Sequence, residues 1–150
     1  MPGRAFCWLV VFAVLTAAPT LITAQAGAAR TFQARLSTVP IDLTMASTIA
    51  GSGSVTGTLK GRTLVLAGKF TGLRTPATVA RLHRGPNRGI RGDAIFDLTV
   101  SAAGTSGELS GTLELSAAQV DDLARGRLYV QLHSEKAPDG NLWGWLLAKP

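Results

Sequence analysis

Residues 128–146 read LYVQLHSEKAPDGNLWGWL, and the alternation within this segment indicates the fold class. At 128–133, aliphatic residues alternate with polar or aromatic ones, which is the period of two expected of a half-buried strand. A turn is predicted at 138–141, where proline presets one backbone angle and glycine accepts a left-handed one. The run 142–146 alternates again and puts two tryptophans on one face. The segment therefore predicts two neighbouring antiparallel strands.

The same alternation recurs on the N-terminal side of this segment. Further strands are predicted at 31–38, 55–59, 64–67, 78–83, 94–101 and 109–115. The low aromatic share of 6% and the 17 glycines favour short strands and tight turns over long helices. About seven or eight antiparallel strands at this spacing predict an all-β fold, an immunoglobulin-like or Greek-key β-sandwich or barrel.

One short helix is predicted among the strands. Ser116 is a favoured N-cap, and Gln119 three residues later completes the pattern of a capping box. Gly126 marks the end of the helix. Asp121 and Asp122 are expected to lie exposed on this helix, so neither is assigned as a catalytic acid or base.

The first residues follow the pattern of an export signal. A single cation, Arg4, precedes an apolar run at 5–18, and Pro19 and small residues follow. We therefore expect a signal peptide at 1–26 and one folded domain at 31–148, secreted or periplasmic. An uncleaved membrane anchor is the alternative, since about 20 apolar residues span a bilayer. The expected cleavage region contains Ala24, Ala26 and Ala28.

The only cysteine, Cys7, lies within the apolar run. After cleavage the chain would have none, which excludes disulfides, thiolate metal sites and a cysteine nucleophile in the mature domain. The hydrophobic core must then stabilise the domain by itself.

The net charge of +6 is unevenly distributed. Between Asp42 and Asp93 the sequence has eight cations and no acid, whereas acids dominate after Asp93. A basic face of this kind suits an anionic surface polymer, and its candidate residues are Arg74, Arg81, Arg84, Arg88 and Arg91. The alternative is that the two halves pack side by side and neutralise each other. Aromatic residues are not interleaved with the cations, so nucleic acid is not an expected partner.

Two histidines occur in the predicted domain, His83 and His133, each at the end of a predicted strand. If they meet at one rim, they could form a zinc or copper site with Glu135, Asp93 or Asp139 as an oxygen ligand. The alternative is that each ring hydrogen-bonds a nearby loop, in which case no cofactor is expected. The chain has no Gly-x-Ser-x-Gly elbow, so no catalytic residue is assigned. The expected partner is an extracellular or cell-envelope component.

Taken in chain order, several motifs resemble the CHRD domain, which is named for chordin and occurs in many exported bacterial proteins. They are Phe-x-Ala-x-Leu at 32–36, Phe-Thr-Gly-Leu at 70–73, Leu-Ser-Ala-Ala-Gln at 115–119 and Pro-Asp-Gly-Asn at 138–141. The resemblance extends from about Thr31 to Leu147. It implies an immunoglobulin-like β-barrel with limited similarity to Cu,Zn superoxide dismutase, and no established biochemical activity.

The chain departs from this family at one informative position. The family commonly has His-x-His where this chain has Arg81, Leu82 and His83. An arginine does not ligate a metal ion and repels a nearby cation. The replacement argues against a metal function inferred from the dismutase-like fold.

Overall fold

The computed structural model describes residues 27–101 and 104–150. Within these two ranges the chain forms nine strands and one helix. They are β1 (Arg30–Thr38), β2 (Ser52–Lys60), β3 (Thr63–Thr71), β4 (Ala77–Arg84), β5 (Asp93–Val100), β6 (Gly107–Glu114), α1 (Ala117–Ala124), β7 (Leu128–Ser134), β8 (Ala137–Trp145) and β9 (Leu147–Ala148). The described part of the chain is therefore all-β with one short helix.

The strands close into an antiparallel barrel. Hydrogen-bonded neighbours follow the order β2, β3, β6, β5, β4, β7, β8 and β1, and β1 pairs again with β2. The reversed order of β4, β5 and β6 between β3 and β7 is a Greek-key arrangement. The short β9 adds to the edge of β1 at Phe32 and Gln33. The predicted all-β fold is confirmed in its barrel form, with eight strands from the described residues in the closed ring.

Alternate residues of each strand fill the interior of the barrel. Phe32, Leu64, Leu82 and Val130 are each at most 1% exposed, and they come from four different strands. Burying one such side chain stabilises the fold by about 1.5 to 3 kcal/mol. The residues between them on each strand point outward, which places a second set of side chains on the outer face of β4, β7 and β8.

Helix α1 begins and ends as the sequence predicts. The Ser116 hydroxyl accepts a hydrogen bond from the Gln119 backbone N–H, and the Gln119 side chain accepts one from the Ser116 N–H. This reciprocal pair satisfies two N–H groups that have no partner within the helix. Gly126 follows the helix with a φ of 68°, which a glycine adopts without strain.

The expectation that Asp122 is exposed was wrong. The residue is only 3% exposed, and its carboxylate lies between two arginines. The distances are 2.5 Å to Arg84 Nε at the end of β4 and 3.5 Å to Arg127 Nη1 ahead of β7. Because those arginines come from other parts of the chain, the periodicity of the helix could not indicate that they cover this position.

The predicted turn at 138–141 was also wrong. The chain reverses at Glu135 and Lys136, and positions 138–141 lie inside β8. The register between β7 and β8 shifts between Leu132 and Ser134, and Gly140 has a φ of 125°. An irregularity of this kind bends a strand without reversing it. Pro138 and Gly140 therefore mark an irregular strand in place of a hairpin turn.

The predicted signal peptide at 1–26, with Ala24 and Ala26, lies outside the described residues and stays a prediction. Ala28 lies in an exposed segment just before β1. Among the residues that the structure describes, no helix combines the length and the apolar character needed to cross a membrane.

Candidate functional site

Three outward-facing side chains form a row across β4, β7 and β8. His83 is the cross-strand partner of Tyr129, and Tyr129 is the partner of Trp145. Their chain neighbours Leu82 and Val130 point into the core, so the row lies on the outer face. Together with two further outward residues they form what we call the histidine–aromatic cluster: His83, Tyr129, His133, Trp143 and Trp145.

Tyr129 is the centre of this cluster. Its ring centroid lies 4.9 Å from that of His83, with the two planes 21° apart. The centroid of Trp145 is 4.5 Å away, and that of Trp143 is 5.8 Å away with its edge towards the tyrosine. Aromatic contacts of this geometry are each worth about 0.5 to 1.5 kcal/mol beyond the area they bury. These contacts between rings therefore fix the positions of the side chains in the cluster.

The segment 85–92, which joins β4 to β5, covers the cluster from outside. The Tyr129 hydroxyl accepts a hydrogen bond from the Gly92 N–H at 3.1 Å and donates one to the Gly92 carbonyl at 3.2 Å. The guanidinium of Arg91 lies 5.6 Å from the ring centroid of Trp143, within range of a cation–π contact. This cover explains why Tyr129 is only 1% exposed although it points away from the barrel core.

Both histidines are anchored through the same ring nitrogen. His83 Nδ1 lies 3.0 Å from the carbonyl oxygen of Gly92, and His133 Nδ1 lies 2.7 Å from that of Pro138. A carbonyl oxygen only accepts, so Nδ1 must donate in each pair, and a neutral ring then carries a lone pair on Nε2. Both Nε2 atoms are buried, and neither has a hydrogen-bond partner among the described residues.

The two imidazoles lie close together. Their ring centroids are 6.4 Å apart, with the planes 29° from each other. Burial lowers the pKa of the His133 imidazole below its ordinary value of 6.5, and the charges of Arg81 and His83 act in the same direction. The bond to the Pro138 carbonyl and the charge of Asp139 oppose this shift. His133 is therefore neutral at neutral pH, with its Nε2 lone pair available.

A comparison with protein families matches residues 32–146 to the CHRD domain, which is more than half of the chain. The chain belongs to the CHRD domain family. This confirms the resemblance inferred from the motifs. No match was found among curated proteins or among solved structures. The matched range runs from β1 to the end of β8, so the histidine–aromatic cluster lies wholly within the CHRD domain.

We expect the stability of the metal-free CHRD domain to fall as the pH drops below about 6.5. In that range the unfolded chain binds a proton at His133 that the folded chain excludes, so protonation favours unfolding. His133 alone can change the free energy of unfolding by up to about 1.4 kcal/mol per pH unit. Urea unfolding at several pH values between neutral and acidic, in the presence of a chelator, measures it. His133→Asn should have a flatter profile, and an equally steep one would contradict the assignment.

The structure brings His83 and His133 together but leaves Glu135 in the β7–β8 turn, where it is exposed. Across the described ranges, no group of three or more His, Cys, Asp or Glu side chains is arranged to hold a metal ion. The metal role of the three residues stays a prediction.

The predicted anion-binding arginines have different surroundings in the CHRD domain. Arg81 and Arg84 lie against carboxylates, at 2.9 and 2.5 Å. Arg91 stacks on a tryptophan, and Arg74 and Arg88 are exposed. In the described part of the chain, four ion pairs join the basic half to the acidic half, in agreement with mutual neutralisation. Anion binding stays a prediction, for which salt sensitivity would be the signature.

Sequence reasoning missed Tyr129 and Gly92 as parts of this site. Tyr129 stands four residues before His133 on one strand, so period-two counting places both on the same face. That signal was available in the sequence. Gly92 acts through its backbone carbonyl and N–H, which every non-proline residue has, so no side-chain pattern could indicate it.

Proposed function

We propose that this CHRD chain is an exported binding module without enzymatic activity, and that its ligand is a metal ion held by His83 and His133. The observation that carries the proposal is the pair of buried Nε2 atoms without hydrogen-bond partners among the described residues. A buried polar atom without a partner costs free energy. An ion that accepts both lone pairs removes that cost. Imidazole is a ligand suited to both zinc and copper.

The anchoring of the rings supports this proposal. A metal-binding histidine almost always donates its other ring N–H to a carbonyl, a carboxylate or water, which fixes the tautomer and the orientation. The Gly92 and Pro138 carbonyls act in this way for His83 and His133. Two rings on different strands are therefore anchored through Nδ1, which leaves Nε2 of each ring as the atom that can bind an ion.

The burial of the nitrogens favours binding over catalysis. A catalytic base must come within hydrogen-bond reach of a substrate proton. Here both Nε2 atoms are shielded from solvent, and segment 85–92 lies over the neighbouring aromatic rings. A small ion needs much less room, and His83 is a partly exposed residue, so solvent comes close to its buried Nε2.

Export is supported by the N-terminal pattern, in which Arg4 precedes the apolar run at 5–18. The full-length chain is expressed in a bacterial host, and the product outside the cytoplasm is weighed by mass spectrometry. A mature chain that begins between Gln25 and Ala29 is the expected result. A full-length product retained in the cytoplasm or membrane would contradict export.

The metal is tested on the same exported product. It is incubated separately with zinc and with copper under reducing conditions, desalted, and analysed for metal content. We expect about one ion per chain with at least one of the metals, and nearly none for His133→Asn. Asparagine retains an amide donor near the Nδ1 position and removes Nε2, so the anchor to Pro138 can persist.

The matched control is Lys60→Gln, at the end of β2 and remote from β7 in the order of strands around the barrel. It should retain the metal content of the parent. Absence of metal from a folded parent, or an unchanged metal content in His133→Asn, would overturn the metal part of the proposal.

A further inference from the structure

Resting on that proposed function, we infer that the bound ion is monovalent copper, held by the two imidazole nitrogens alone. Three independent features of the site support it: the number of donors, the surrounding charge and the distance between the rings.

The first feature is the number of donors. A structural zinc site has four ligands, and a catalytic one has three protein ligands and a water. The described residues offer no third histidine, cysteine or carboxylate in a position to join the pair. His83 and His133 therefore match an ion that is satisfied by two donors. Copper in its monovalent, closed-shell form accepts two nitrogens in a straight line.

The second feature is the charge around the rings. Imidazole ligands bring no negative charge to an ion, and the positive charge of Arg81 acts on His133. Asp139 is the acid that opposes this effect, and Asp97 draws Arg81 to itself at 2.9 Å. Coulomb repulsion scales with the charge of the ion, so a divalent ion is repelled twice as strongly as a monovalent one. Its hydration shell is also costlier to remove at buried nitrogens.

The third feature is the spacing of the rings. Metal–nitrogen bonds are about 2 Å long, so a straight nitrogen–metal–nitrogen unit places the ring centroids about 6 Å apart. A tetrahedral angle at the metal brings the centroids to about 5 Å under the same bond length. The observed centroid separation of 6.4 Å between His83 and His133 leaves room for the straight arrangement when both Nε2 atoms face the ion.

The exported product of the full-length chain is titrated anaerobically with copper(I), with silver(I) as a redox-inert monovalent probe, and with zinc(II), each against a chromophoric competitor. We expect one copper(I) or silver(I) per chain, bound at least about 100-fold more tightly than zinc. X-ray absorption at the copper edge should show two nitrogen neighbours. His83→Asn and His133→Asn should each weaken copper(I) binding by at least about 100-fold.

The effect of charge is tested at Arg81, which acts on His133. Removing the cation in Arg81→Gln should raise the affinity for zinc, and the change in log Kd should be about twice that for silver. Lys60→Gln, across the barrel, should change neither. This ratio does not depend on the distance between Arg81 and the ion.

The measurements distinguish failure of the copper(I) inference from failure of the metal site itself. Zinc binding that equals or exceeds copper(I) binding, or three or more ligands at the copper edge, would overturn the monovalent inference while the His83–His133 metal site stands. A change for silver in Arg81→Gln as large as that for zinc would also overturn it. A folded parent that binds none of the three ions would overturn both proposals.

Discussion

Substitution Gly92→Ala should lower the free energy of unfolding by about 3 kcal/mol and weaken metal binding at the same time. A Cβ at this position would overlap the backbone carbonyl of Arg84, where β4 and β5 pair. The backbone at residue 92 must then move. Its carbonyl accepts from His83 Nδ1 and from the Tyr129 hydroxyl, so one displacement disturbs two anchors of the histidine–aromatic cluster. Urea unfolding and a silver titration measure the two effects.

The matched control for Gly92→Ala is Gly89→Asn in the same segment. A Cβ at Gly89 meets no atom within 4 Å, and asparagine tolerates the φ of 88° better than other side chains. This variant should differ from the parent by less than about 1 kcal/mol. Equal losses for the two variants would show that general disturbance of the segment, and not the Gly92 anchor, is responsible.

Substitution Arg84→Ala should destabilise the barrel by about 3 kcal/mol. It removes the closer of the two cations around Asp122, whose side chain is only 5% exposed, and leaves Arg127 at 3.5 Å. A buried carboxylate that loses its closest counter-charge keeps the cost of its lost hydration. The extra substitution Asp122→Asn should recover part of the loss, and chemical unfolding of the single and double variants measures the coupling.

Arg81→Ala is the matched control, because it removes the same side chain from the same strand. Its partner Asp97 is 85% exposed, so the unpaired carboxylate is solvated by water. We expect a loss between zero and about 1 kcal/mol. Similar losses for Arg81→Ala and Arg84→Ala would mean that the burial of Asp122 is not what makes its ion pair important.

Local signals in the sequence predicted most of the fold. Alternation indicated the strands, and Ser116 and Gln119 indicated the helix, because those patterns depend on residues close in the chain. The reversal at Glu135 and Lys136 was misplaced, since Pro138 and Gly140 also fit a bulged strand. Closure of the barrel depends on pairing of β1 with β8, and no period-two pattern contains information about partners so distant in the chain.

The candidate site was predictable only in part. The sequence placed His83 and His133 at strand ends near one rim, and the structure brings their rings together. The contacts that fix their tautomers could not be predicted, because the Gly92 and Pro138 carbonyls carry no side-chain signal. The burial of Asp122 was missed for a related reason, since it requires arginines from two other segments.

The pairing of β1 also has a consequence for when the domain can fold. Ser37 pairs with Trp143, and Thr38 with Leu142, so the ring closes between segments at opposite ends of the domain. Contacts so distant along the chain are entropically costly to form and slow folding. A chain that emerges N-terminus first, from a ribosome or a translocation channel, cannot complete the barrel until β8 has emerged. The closed barrel therefore forms only after nearly the whole domain has emerged.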